Sequence, residues 1–140
     1  MEKIEHFYKN IEGWFTFPHL YSKAVESSIG DSHFVEVGCW KGQSSAYMAV
    51  EIINSGKKIK FDVVDTFKGS IEHIDENSPA FEPILKSEGT IRGVFEENIK
   101  PVKSNINILE MASQEASLLY EDTSLDFVFI DAAHDYESVR

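Results

Sequence analysis

The stretch HFVEVGCWKGQSSAYMAVEI, His33 to Ile52, closes an apolar run with an acid, two glycines and a pair of serines. Gly38 and Gly42 permit a tight turn and let the backbone approach a ligand with no Cβ in the way. The helix expected after them offers unpaired N–H groups and the positive end of its dipole, a seat for a carboxylate or a phosphate. Ser44 can add a hydroxyl to that seat. Glu36, just before the turn, would repel a phosphate but would accept from an ammonium or a water, so the combination favours a zwitterion. Asp65 ends a second apolar run, where an acid takes both hydroxyls of a ribose in open parallel sheets. A nucleoside carrying an amino acid would satisfy all of these groups.

Each residue also has a plainer reading. The glycine pair could serve a close helix–strand crossing, and its spacing departs from the dinucleotide pattern G-x-G-x-x-G. Glu36 lies between Val35 and Val37 on a strand whose burial would make an unpaired carboxylate costly. Asp65 could cap the turn that begins with Thr66. Cys39 and Trp40 could simply pack.

Hydrophobic periodicity supplies the elements that must position these side chains. Ile4, Phe7, Tyr8 and Ile11 recur at helical spacing, and Pro18 suits the first turn of a second helix. Strands are expected at HFVEVG, KIKFDVVD, NINILE and LDFVFIDA, the last apolar enough for a sheet covered on both faces. Helices are expected from about Gln43 to Asn54 with Gly56 as its stop, around Gly93 to Ile99, and around Ser113 to Leu119. The alternation predicts an α/β fold, a Rossmann-like doubly wound parallel sheet with helices on both faces. A single domain over residues 1–140 is expected, with N-terminal helices in 1–32 and the sheet in 33–140. One insertion, about 66–90, carries Pro79, Pro83 and Gly89 and is too long for an ordinary connection. It reads either as a lid over the carboxyl edge of the sheet or as a surface excursion with one short helix.

The formal net charge of -11 argues against a nucleic-acid partner, since such binding draws on clustered Lys and Arg. Cys39 is the only cysteine, which excludes an intrachain disulfide and suits a reducing, cytoplasmic setting. No segment approaches the roughly 20 apolar residues that span a bilayer, so no membrane partner is expected.

VEVGCWKG, FDVVDTFKGS, EMASQEA and DFVFIDAAHDYESV, taken in order, resemble the successive motifs of class I S-adenosylmethionine-dependent methyltransferases, in particular small-molecule O-methyltransferases. The resemblance runs over roughly residues 33 to 140. It implies Glu36, Gly38, Cys39, Trp40 and Gly42 at the methionine end of the cofactor, with Ser44 near its carboxylate. Asp65 and Thr66 would meet the ribose, and Met111, Ala112, Ser113 and Gln114 would line the adenine. Ser113 could equally be a helix N-cap. In metal-dependent relatives an acid at the position of Asp131 ligates a divalent cation such as Mg²⁺, which needs further oxygen ligands; Asp135 is a local candidate or a helix cap. His134 could act as a general base, its unperturbed pKa near 6.5 suiting proton removal from a hydroxyl, or could hydrogen-bond a loop. His73, in the insertion, ranks below it.

The family fold continues beyond a fourth strand with a helix, a fifth strand and a hairpin, and the sequence shows none of these. FVFI is therefore expected at an open sheet edge, which invites pairing. A fragment, a homodimer that completes the sheet, and a shortened cofactor-binding protein all remain open. The expected activity is methyl transfer to a hydroxyl of a small molecule. A non-catalytic binding module ranks second, and a nicotinamide oxidoreductase third for lack of the pyrophosphate glycines.

Overall fold

The computed structural model describes residues 3–131. Its centre is strand β1, Ser32–Val37, whose successive side chains enter different cores: Phe34 on one face and Val35 on the other are each 2% exposed. β1 pairs in parallel with β2, Ile59–Asp65, from Ser32 opposite Ile59 to Val37 opposite Val64. β2 pairs with β3, Asn107–Glu110, and β1 pairs on its other side with β4, Phe127–Ile130. The order is β3-β2-β1-β4, and every pair is parallel, as the sequence predicts of the sheet. The chain thus steps outward twice and then crosses back over β1. Open sheets bind ligands at such a reversal, outside the carboxyl ends of the strands.

Helix α1, Pro18–Ser27, starts with proline at a position where its missing N–H costs nothing. Helix α2, Gln43–Ser55, is bounded by Gly42 and Gly56, both left-handed, and buries Ala46, Ala49 and Val50 completely. These two helices and α5, Arg92–Asn98, cover the face of β1 and β2 that carries Phe34, Phe61 and Val63. The opposite face is covered by α6, Ser113–Ser117, through Ala116, and by Met111, Tyr120 and Leu125. A short 3₁₀ helix at Lys100–Asn105 leads into β3.

Three expectations are corrected. The helical spacing of Ile4, Phe7, Tyr8 and Ile11 yields only a 3₁₀ turn at Tyr8–Asn10, while the Asn54 side chain takes both backbone groups of Ile4. The insertion contains two helices rather than one, α3 at Ile71–Ile74 and α4 at Pro83–Glu88, the latter framed by Pro83 at its start and a left-handed Gly89 at its end. In α6, Ala112 holds the N-cap position and Ser113 is the first helical residue, so Ser113 is not the cap.

One polar cluster ties the second face together. Asp62, 2% exposed on β2, accepts from His33 Nε2 at 2.7 Å, Tyr120 Oη at 2.7 Å and Asn107 Nδ2 at 3.0 Å. Burial pushes its carboxyl up, but the three hydrogen bonds, Tyr120 first, outweigh burial and hold it below the usual range. A depressed carboxyl stabilises the fold above its unfolded value, near 3.9, and that stabilisation is lost as pH falls through the folded value. Asp62→Asn is therefore expected to cost about 1–3 kcal/mol near neutral pH. In denaturant titrations the deficit should shrink in acid, and a deficit independent of pH would contradict the assignment.

Candidate active site

The turn after β1 is built by two strand ends. Gly38 N donates to Val64 O at 2.9 Å, extending the ladder by one residue, and Cys39 N then donates to Asp65 Oδ2 at 2.9 Å. Gly38 and Gly42 have φ of 85° and 99°, and Trp40 between them is also left-handed at 50°. At Gly42 a Cβ would lie 2.9 Å from Ile99 Cγ2 and 3.1 Å from the Phe95 ring, so this glycine is required by packing against the α5 region. It is not among the residues that line the cavity the turn borders.

That cavity, about 410 Å³, opens at the carboxyl ends of the strands. Its lining includes Gly38, Cys39, Trp40 and Ser44 from the first turn and Asp65 and Thr66 from the end of β2. Met111, Ala112, Ser113 and Gln114 join it after β3, and Asp131 after β4. The structure thus brings these eleven sequence-predicted residues together around one space. His134 and Asp135 lie outside the described residues.

Asp65 links the parts. Its Oδ1 accepts from Phe67 N at 2.8 Å, making the turn that the plainer reading anticipated, while its carbonyl accepts from Met111 N at 3.1 Å. A carboxylate has about four acceptor positions. Three are used, by Cys39 N, Phe67 N and, at 3.5 Å, the Cys39 thiol, which leaves one on an acid that lines the cavity.

Glu36 is placed differently from expectation. Its carboxylate is 1% exposed, lies behind the cavity rather than in its lining, and is held by Tyr21 Oη and Ser45 Oγ, each at 2.5 Å. A charged group on a covered strand needs partners, and α1 supplies one that local sequence could not reveal. Burial pushes the carboxyl above its ordinary range, further than the hydrogen bonds from Ser45, Tyr21 and Ser44 pull it back. Burial, and then the adjoining Glu36 charge, drive the Tyr21 hydroxyl far up, so it stays protonated and donates.

Two walls come from segments that carry no motif. Gly13, Trp14, Phe15 and Phe17 form a strap between the 3₁₀ turn and α1. Gln43 clamps it: Phe15 N donates to Gln43 Oε1 at 2.9 Å and Gln43 Nε2 donates to Ile11 O at 2.9 Å. The insertion adds Gly69, Ser70, Glu72, His73 and Ala80, in keeping with the lid reading. Lys41, 6% exposed, joins both walls to the turn through Glu12 at 2.9 Å and Glu82 at 2.6 Å. The aromatic run GWFTF was the available signal for the strap; its lack of periodicity concealed it.

A family model described as a methyltransferase domain matches residues 35–140. The chain belongs to this methyltransferase family. The matched span begins within β1 and includes every strand end that borders the cavity, whereas the strap precedes it. A search of curated proteins finds no match. Among the described residues, no helix is long and apolar enough to cross a membrane, and no group of three or more His, Cys, Asp or Glu side chains is arranged to hold a metal ion.

A carboxyl raised above its unfolded value keeps its proton longer in the folded state, so stability falls as pH climbs from about 4.3 toward the folded value. Glu36→Gln preserves an acceptor for Tyr21 and cannot ionise. Denaturant titrations at several pH values should show the variant gaining on the wild-type protein as pH rises. A constant difference would remove Glu36 from that role.

Proposed function

We propose that this chain is an S-adenosylmethionine-dependent methyltransferase acting on a hydroxyl of a small molecule. The observation that carries the reading is Asp65: a strand-end acid, fixed by two backbone donors, that keeps acceptor capacity toward a cavity bordered by a glycine turn and a helix start. Those features fit the cofactor's chemistry. Asp65 would take the ribose hydroxyls, and Met111 to Gln114 would flank the base. The start of α2 with Ser44 would meet the carboxylate, whose charge suits the positive end of a 13-residue helix.

The cofactor supplies a methyl group already activated on a sulfonium. The remaining task of the protein is to align an acceptor oxygen, exclude water and take up a proton. The strap and insertion provide the enclosure, and the volume of about 410 Å³ lies within the range of small-ligand sites. Asp131 and His134 are the candidates for orienting the acceptor and taking its proton. Asp131 is also the position at which the resemblance would place Mg²⁺, and companion ligands are not found among the described residues. The net charge of -11 supports a small-molecule acceptor over a nucleic acid.

The test is transfer of labelled methyl from S-adenosylmethionine to a panel of small hydroxyl compounds, with cofactor affinity measured alongside. Asp65→Ala should weaken cofactor binding by about 1–3 kcal/mol, the range for hydrogen bonds to a charged group. Unchanged affinity would dismiss the ribose role, and transfer only to amines or thiols would dismiss the hydroxyl.

A further inference from the structure

A row of rings runs along the cavity wall. Trp14 of the strap lies 5.8 Å from Trp40 of the turn, centroid to centroid, and Trp40 lies 4.6 Å from His73 of the insertion. His73 Nε2 is 3.8 Å from Glu72 Oε1, so the row ends on a carboxylate. Three separate chain segments therefore supply one continuous surface, and each is anchored independently of its rings. Gln43 holds the strap, Lys41 holds strap and insertion to the turn, and Glu82 N bonds the His73 carbonyl at 2.8 Å.

The protonation of the row follows from its hydrogen bonds. Ser70 N donates to His73 Nδ1 at 2.8 Å, which places the proton of the neutral ring on Nε2. His73 is thus occupied as an acceptor within the insertion's own capping box and presents a donor toward Glu72. Trp40 Nε1 is buried without a hydrogen-bond partner among the described residues, although its residue borders the cavity. Trp14, 68% exposed, leaves ring surface open at the rim.

The charge of the lining has one sign. Asp65, Glu72 and Asp131 contribute carboxylates, and among the described residues no Lys or Arg lines the cavity. Lys41, which adjoins Trp40 in the turn, is already shared between Glu12 and Glu82. Its ammonium lies 5.4 Å from the Trp40 centroid, so this indole system already holds a cation over a ring. Aromatic faces beside a carboxylate such as Glu72 attract positive charge and penalise negative charge.

We propose that Trp14, Trp40, His73 and Glu72 form the acceptor subsite and that it selects a flat-ringed acceptor carrying a positive charge, an inference that rests on reading the cavity as a methyl-transfer site. Tyramine, para-ethylphenol and phloretate test it, since they share a phenol and differ in the charge of the tail. Each is titrated calorimetrically into the chain saturated with S-adenosylhomocysteine. Tyramine should bind at least about tenfold more tightly than phloretate, with para-ethylphenol between them. Glu72→Gln should narrow that gap, and Trp14→Ala should weaken tyramine, while S-adenosylhomocysteine affinity, which also reports folding, stays unchanged in both variants.

Phloretate binding as tightly as tyramine, no binding by any of the three, or a preference that survives both substitutions would overturn the subsite while leaving the cofactor reading intact. If S-adenosylhomocysteine itself does not bind, the cofactor reading fails separately. The same series titrated into the free chain then decides the wall alone: the predicted order upholds it and any other order overturns it.

Discussion

The geometry of the site depends on one carboxylate. Asp65 ends β2, yet its side chain fixes the turn after β1 through Cys39 N and its own turn through Phe67 N, while its carbonyl fixes the exit of β3 through Met111 N. Three strand ends are thereby locked in register around a shared space. Parallel pairing alone would bring them near one another but would not set the path of each loop as it leaves the sheet. A carboxylate can do so because it accepts several bonds at once and, being charged, accepts more strongly than a neutral oxygen.

Behind that space, Glu36 does comparable work without touching it. Its bonds to Tyr21 and Ser45 attach α1 and the first turn of α2 to the central strand. The strap precedes α1 directly, so the buried acid positions a wall of the cavity at one remove. Lys41 and Gln43, flanking Gly42, attach the strap and insertion from the other side. A six-residue run, Gly38 to Gln43, thus determines how the backbone turns and where both added walls sit.

Much of this was legible in the sequence because the signals were local. Alternation within VEVG and FDVVD, Pro18 at a helix start and Gly56 at a helix stop each act within a few residues. The strand-end residues followed, since a parallel sheet brings all carboxyl ends to one edge. What was not legible depended on distant partners. Tyr21 is fifteen residues from Glu36, and nothing near VEVG reveals that the acid is already engaged. Likewise Asn54 is fifty residues from Ile4, and its two bonds there are invisible from the helical spacing of the N-terminus. Gly42 illustrates a third case: packing against Ile99 and Phe95 by itself demands a glycine there, a constraint set by residues more than fifty positions away.

The central claim is that the cavity held open by Asp65 is shaped for a nucleoside bearing an amino acid rather than for a dinucleotide. Isothermal titration of the 140-residue chain with S-adenosylhomocysteine, beside NAD as the control, tests it most directly. The expected result is micromolar binding of S-adenosylhomocysteine, on the order of 8 kcal/mol, with NAD far weaker. Equal affinity for both, or no binding of S-adenosylhomocysteine by the folded chain, would contradict it.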